Sequence, residues 1–337
     1  MRALVLKQPG NAAVEVVPDL VRVSDHVLLR VQQVGLCGTD LNSFRGMNPL
    51  VTFPRVPGHE IAATVVEVNG LRADLERGTC VTVSPYASCG KCSSCRRNRP
   101  NACQFNQTMG VQRDGALTEY IQVPPEKIFS AHLCVTELSI VEPLSIGFHA
   151  VERGKVSAVD NVAVIGCGGV GLGAVAGASA RGATVIAIDV DDGKLEIAQK
   201  AGANHLINTK SEQLPNRLRE LTAGYGPDVI IEAVGRPETF RAAVELVAYS
   251  GRVVYIGYAK EDVAYETRLF VLKELEILGS RNAVAENFRE VIRFLEQKRF
   301  PIADYVSEVV PLDSAAEMLR RWSAHPGEFS KIIVRLD

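Results

Sequence analysis

A chain of 337 residues, 47% apolar and 23% charged, is long and apolar enough for about two globular domains with real cores, which excludes a disordered chain. A formal net charge of −2 gives no electrostatic case for a nucleic-acid or anionic-membrane partner. The start "MRALVLKQPG" has an apolar run cut off by Lys7 and no small-residue cleavage site, so no secretory signal is expected and the chain reads as cytoplasmic.

From the start to about residue 147 the sequence reads as short β-segments punctuated by Gly, Pro, Asn and Asp: "RALVL", "HVLLRVQQVG", "EIAATVVEV", "TCVTV" and "TEYIQV". Two fragments within it carry zinc-type donors, "GLCGTD" at 35–40 with Cys37 and "PGHE" at 57–60 with His59. Taken singly, a cysteine in an apolar segment is ordinarily packing and a histidine after Pro-Gly a turn residue. Further on, "CGKCSSCRRNRPNAC" places Cys89, Cys92, Cys95 and Cys103 in C-x₂-C-x₂-C-x₇-C spacing. In a reducing cytosol, four thiolates on one tight loop read as a closed tetrahedral zinc site, structural because it leaves no position for substrate. Bacterial ferredoxins share the first spacings but continue with a three-residue gap and Cys-Pro, whereas here the gap is seven and Gln104 follows, so an iron–sulfur cluster and a disulfide pair rank below zinc. Arg96, Arg97 and Arg99 read as a solvated loop.

Residues 148–280 change rhythm to strand, helix, strand: "NVAVIG", a helix from Val170, "TVIAID", "DGKLEIAQKAG", "DVIIEAVG", "PETFRAAVELVAY", "GRVVYIG" and "LEILGS". That alternation predicts a doubly wound parallel sheet and an α/β fold class overall. "NVAVIGCGGVGLGAVAGASA" is free of charge over twenty residues, but six of them are glycine, which fits a strand, a tight turn and a closely packed helix rather than a membrane span. Residues 281–337 hold a helix near "ENFREVIRFLEQK" and a closing strand, "SKIIVRL".

Gly166, Gly168 and Gly171 stand in G-x-G-x-x-G spacing between strand and helix, with Gly169 and Val170 completing the turn. The first glycine makes the turn, the second admits a pyrophosphate and the third allows close helix packing. Asp189 ends the next strand eighteen residues after Gly171, where a carboxylate accepts from ribose hydroxyls and repels a 2′-phosphate; with no Arg directly after it, NAD is favoured over NADP.

"GLCGTD", "PGHE", the cysteine lobe, "VEPLSIGFHA" and "GCGGVG" occur in the order and spacing of the zinc-dependent medium-chain alcohol dehydrogenases, which the chain resembles over essentially its full length. "VEPLSIGFHA" is similar to the sorbitol and threonine dehydrogenase branch, and "KELEILGSRNAVAENFREVIRFLEQ" resembles bacterial sugar-acid dehydrogenases of the L-galactonate type. The resemblance implies a mostly-β GroES-like catalytic domain over 1–147, a Rossmann domain over 148–280 and a C-terminal segment, 281–337, returning to the first. It implies two zinc ions per chain, one of them catalytic and held by Cys37, His59 and Glu142, with Glu60 beside it as an occasional ligand. Asp40 would accept from the second nitrogen of His59, and Thr39 would take the proton of the substrate hydroxyl. Relatives carry a His relay five residues after the zinc cysteine; Asn42 stands there instead and cannot take up a proton. The implied reaction is NAD-dependent oxidation of a secondary alcohol in a polyol or sugar acid, by a homo-oligomer, dimer or tetramer. A threonine-type amino-alcohol dehydrogenase is the competing enzyme reading, and a non-catalytic NAD-binding module the reading of another class. Arg113 and Arg281 are candidates to meet a substrate carboxylate, whereas Cys80, Cys134, Cys167 and His149 read as packing residues.

Overall fold

The chain is described by a computed structural model that covers residues 1–68, 70 and 72–336. It forms two compact units, Met1–Glu142 with Val284–Glu296 and Ile302–Asp337, and Pro143–Ala283 with Gln297–Pro301.

The first unit is built on a seven-stranded sheet. Its strands run in the order Val306–Pro311, Lys331–Arg335, Val27–Leu36, Glu60–Glu67, Cys80–Val83 and Ile128–Ser130, with Tyr120–Val123 also pairing to Val27–Leu36. Alternation in the central strand buries Val27, Leu29 and Val31 and turns Arg30 to solvent, as a half-buried antiparallel strand requires. From Val34 to Leu36 every residue is buried, and the chain then enters Cys37. The helix Ala315–Ala324 lays Ala315, Ala316, Met318, Leu319 and Trp322 into the same core, a 3-and-4 spacing that puts them on one face. The closing strand pairs antiparallel with the central one, Ile332 opposite Leu36 and Val334 opposite Val34, while Glu60 lies opposite Gly35 on the other side.

The second unit is a six-stranded parallel sheet in the order His205–Asn208, Thr184–Asp189, Asn161–Ile165, Val229–Glu232, Arg252–Tyr255 and Glu276–Gly279. The winding reverses between Asn161–Ile165 and Val229–Glu232, so the carboxyl ends of these two strands form the switch point at which open α/β sheets bind ligands. The charge-free run divides into the strand Asn161–Ile165 and the helix Gly169–Ala180, whose glycines admit close packing: a Cβ on Gly147 would lie 2.1 Å from the Ala174 nitrogen. Among the described residues no helix is long and apolar enough to cross a membrane.

The boundary between the units falls between Glu142 and Pro143 rather than at 147, and residues 297–301 group with the second unit. The physical reason lies in the helix Val141–Arg153: its first turn places Glu142 against Tyr86, and its later turns pack on Gly173 and Ala174.

Candidate active site and metal centres

Cys37 caps the short helix Gly38–Phe44 at the end of the central strand. Asp40 organises this corner: one carboxylate oxygen accepts from the Cys37 amide at 2.9 Å and the other from the Gly58 amide at 3.1 Å, tying the "GLCGTD" turn to the residue before His59. Asp40 therefore does not hydrogen-bond His59 as the resemblance implied. Its Oδ1 stands 3.8 Å from Nδ1 of His59, beyond hydrogen-bond distance, while its two oxygens accept from the two backbone amides. The Nδ1 atom is buried and has no hydrogen-bond partner.

Sulfur, ring nitrogen and carboxylate donors of Cys37, His59 and Glu60 lie within 4.8 Å of one another. Glu60 is fully buried, yet its charge is already balanced, since both of its oxygens accept from Lys331 Nζ, at 2.7 and 2.6 Å. Lys331 also donates to the Leu36 carbonyl at 3.3 Å and lies 5.8 Å from the Tyr305 ring centroid. Burial opposes the ammonium charge, but Glu60, Tyr305 and Cys37 hold Lys331 above the ordinary lysine range. The pair forms across Gly35, where a Cβ would lie 2.0 Å from Glu60 Oε2.

Glu142 is also buried, at 4% exposed. Its Oε1 accepts from the hydroxyl of Tyr86, itself buried, and burial pushes the Glu142 carboxyl up to about 7, with His59 opposing and Glu60 adding to the rise. Burial and the neighbouring Glu142 charge hold Tyr86 well above the phenol range, so the phenol is the donor. Burial also works against a charge on His59, but Asp40, Cys37 and Glu142 outweigh it and hold the imidazole well above its ordinary range. The half-buried Cys37 thiol, the His59 imidazole and the Glu60 carboxylate, with Glu142 among the charges acting on His59, are donor types that suit a divalent cation.

In the lobe, Cys92 Sγ stands 3.5 Å from Cys95 Sγ and 3.8 Å from Cys103 Sγ. Zn–S bonds of about 2.3 Å in a tetrahedron set sulfur pairs about 3.8 Å apart, so these thiols fit zinc and are too far apart to be bonded as disulfides. Amides of Cys89 and Phe105 donate to Cys103 Sγ, both at 3.3 Å. A hydroxyl from Ser94 and nearby amides pull Cys92 down to about 5, while burial among the other thiols pushes Cys95 up to about 11.

In the second unit, Gly166 turns with φ of 95°, a Cβ on Gly168 would meet open space, and a Cβ on Gly171 would lie 1.7 Å from the Gly166 carbonyl oxygen. The helix begins at Gly169, capped by Gly168, one residue before Val170. Asp189 accepts from the amides of Cys167, Val190 and Asp191 at 2.7, 2.7 and 3.1 Å, so it also braces the glycine turn. A turn open at Gly168 and closed at Gly171 is shaped for a pyrophosphate.

Thr39 is half-buried in the first turn after Cys37, and Asn42 is half-buried one turn later. Arg113 is half-buried, with Nη2 3.4 Å from the Pro85 carbonyl; Arg281 follows the edge strand of the second unit. His149 and Cys167 are buried, Cys80 is half-buried and Cys134 is exposed, because it caps the helix Val135–Ser139 from outside the core. Tyr86, Lys331 and Gly35 are the residues that motif reading missed.

A glycine turn for a dinucleotide on one unit and a thiol–imidazole–carboxylate cluster on the other define a metal- and dinucleotide-dependent oxidoreductase. Residues 23–132 match the alcohol dehydrogenase GroES-like domain and residues 169–297 the zinc-binding dehydrogenase domain. The chain is 31% identical over 322 residues to L-galactonate-5-dehydrogenase of Escherichia coli K12, with 95% of each covered. It is 30% identical over 344 residues to sorbitol dehydrogenase of Bacillus subtilis, covering 99% of this chain and 97% of that one. The solved structure of the alcohol dehydrogenase RspB from Escherichia coli CFT073, complexed with NADH, matches with a TM-score of 0.91 at 26% identity, covering 99% of both chains. The chain belongs to the zinc-dependent medium-chain alcohol dehydrogenase family and is an oxidoreductase.

Proposed function

We propose that this enzyme oxidises a secondary alcohol of a polyol or sugar acid with NAD, using zinc held by Cys37, His59 and Glu142. Bound there, zinc would supply Lewis acidity toward the substrate oxygen, and NAD would be the hydride acceptor. The observation that supports the reading is the donor cluster itself: Cys37, His59 and Glu60 converge within 4.8 Å, Lys331 already holds both oxygens of Glu60, and Glu142, buried against Tyr86, acts on His59. Glu60 then stays beside the metal as a neutralised neighbour. Thr39, half-buried in the turn after Cys37, takes the hydroxyl proton, and with Asn42 unable to relay it the proton leaves through water. Cys89, Cys92, Cys95 and Cys103 hold a second, structural zinc. Asp189 selects NAD by accepting from ribose hydroxyls.

Substrate class follows the relatives named for L-galactonate and sorbitol. A thiol-rich lobe that must stay reduced suits the cytoplasm. The open sheet edge at Glu276–Gly279, with Ile277 41% exposed, follows the helix Arg268–Leu272, whose Val271 and Leu272 are 85% and 60% exposed, and a homo-oligomer would cover these side chains. Light scattering on the parent and on Ile277→Lys tests this; a monomeric parent refutes it.

The functional test is NADH formation across a panel of polyols, aldonates and threonine, with NADP run in parallel. Turnover of aldonates or polyols is expected. Threonine as the best substrate would replace the substrate class, and NAD binding without any turnover would favour the non-catalytic reading.

A further inference from the structure

We propose that Tyr86 is a positioning residue for the metal of the active site: by donating to one carboxylate oxygen of Glu142 it fixes the orientation in which that carboxylate would be offered to the metal. The proposal rests on the reading of Cys37, His59 and Glu142 as the zinc ligands. Glu142 brings a long side chain from the first turn of a helix, and nothing in its own backbone decides whether one oxygen or both would meet a metal. Tyr86 supplies that decision by donating to Oε1. A phenol is well suited to the task because its hydroxyl sits at the end of a rigid ring. Here the ring is walled in: Phe288, fully buried, meets it edge-on at 6.5 Å and 75°, and Phe129 stacks on Phe288 at 5.0 Å and 14°.

The backbone of Tyr86 is fixed as well. Tyr86 and Ala87 pair with Thr108 and Gln107, and the Met109 amide donates to the Pro85 carbonyl at 3.0 Å. These two short strands flank the Cys89–Cys103 lobe, so the lobe closes the hairpin that carries the phenol. One carboxylate is thus aimed by a neutral donor while its neighbour, Glu60, is held by a cation.

The test is Tyr86→Phe, which keeps the ring and its packing and removes only the hydroxyl. Zinc release to a chelator and the visible d–d spectrum of the cobalt(II)-substituted protein are the readouts. The four-thiolate zinc serves as an internal reference, and the metal-free melting temperature reports packing. Expected is a 10- to 100-fold weaker hold on the first-released zinc and a changed cobalt spectrum, with an unchanged metal-free melting temperature. Zinc retention and cobalt spectrum identical to the parent would overturn the proposal, as would a metal-free melting temperature that falls with them, which would make Tyr86 a packing residue. Glu142→Gln, run alongside, separates the two levels. If it keeps zinc like the parent, the ligand reading has failed and the proposal with it; if it loses zinc while Tyr86→Phe does not, the proposal alone has failed.

Discussion

Lys331 and Glu60, 271 residues apart in sequence, meet in the core of the first unit through two bonds of 2.7 and 2.6 Å, and neither is more than 5% exposed. They reach each other because the closing strand and the Glu60–Glu67 strand flank the same central strand. A buried pair is costly to break from one side, since the remaining charge is left unpaired. Lys331→Met is therefore expected to destabilise the fold by about 3–5 kcal/mol in chemical denaturation, and the double variant Glu60→Gln with Lys331→Met to recover part of that loss. A single variant as stable as the parent would mean the pair does not hold the site.

Gly35 makes the crossing possible, and substituting it tests the same geometry sterically. Gly35→Ala would push a methyl group against Glu60 and should lower the melting temperature, with a loss of about 1–3 kcal/mol for an overpacked site. In a background carrying Glu60→Ala and Lys331→Met the carboxylate is gone and only the contact with the residue-60 Cβ, at 3.1 Å, remains, so the same change should cost less. Equal losses in both backgrounds would place the strain elsewhere.

Local signals were readable in the sequence and long-range ones were not. Glycine spacing before a helix, an acidic residue at the end of the next strand and four cysteines in fifteen residues each report a structure made by neighbouring residues. The parallel sheet followed from strand–helix alternation, except for His205–Asn208, whose four residues, polar at both ends and with Ile207 alone fully buried, have no apolar run long enough to mark them. Lys331 opens a strand that otherwise reads as plain core, and Tyr86, in a short hairpin, stands 56 residues from Glu142 in a helix; only the folded chain brings these pairs together. Asp40 was recognised as a neighbour of His59, but its bonds to two backbone amides depend on how two loops meet.

The metal-free site should respond to pH in a definite direction. Glu142 is raised from an ordinary 4.5 to about 7 and His59 is raised well above 6.5, so the folded metal-free protein binds more protons than the unfolded chain. The stability these groups contribute is complete below their ordinary values and is lost as pH rises through the folded ones, about 7 for Glu142. Zinc needs an ionised carboxylate and a neutral imidazole, so its affinity rises over the same window. The gap in melting temperature between zinc-loaded and metal-free protein should therefore widen from about pH 6 to about pH 8, and less so in Glu142→Gln. A gap that narrows with rising pH would contradict the assignment.

Asp189 joins cofactor choice to the shape of the glycine turn, because the carboxylate that would meet a ribose also accepts from the Cys167 amide. Asp189→Ala should raise the KM for NAD. Adding Val190→Arg, at a position 49% exposed, should shift the NAD-to-NADP ratio of kcat/KM by tenfold or more, about 1.4 kcal/mol. If the parent already uses NADP as efficiently as NAD, Asp189 does not select the cofactor.

The two cysteine environments should separate stability from chemistry. The lobe from Cys89 to Cys103 is polar and nearly without buried apolar side chains, Cys103 itself being the buried exception, so a metal must supply most of its order. Cys95→Ser is expected to lose one zinc per chain and to lower the melting temperature. Because the lobe closes the hairpin of Tyr86, it should also weaken zinc binding at the second site, while the folded fraction still oxidises substrate. Cys37→Ser should leave the fold and NAD binding nearly intact and remove most of the turnover, since it takes a ligand from the cluster around His59 without disturbing the sheet beneath. Zinc content, melting temperature and turnover per NAD-binding subunit, measured together on both variants, decide the matter. A Cys95 variant that melts like the parent yet has lost all turnover would mean that the two metals have been assigned the wrong way round.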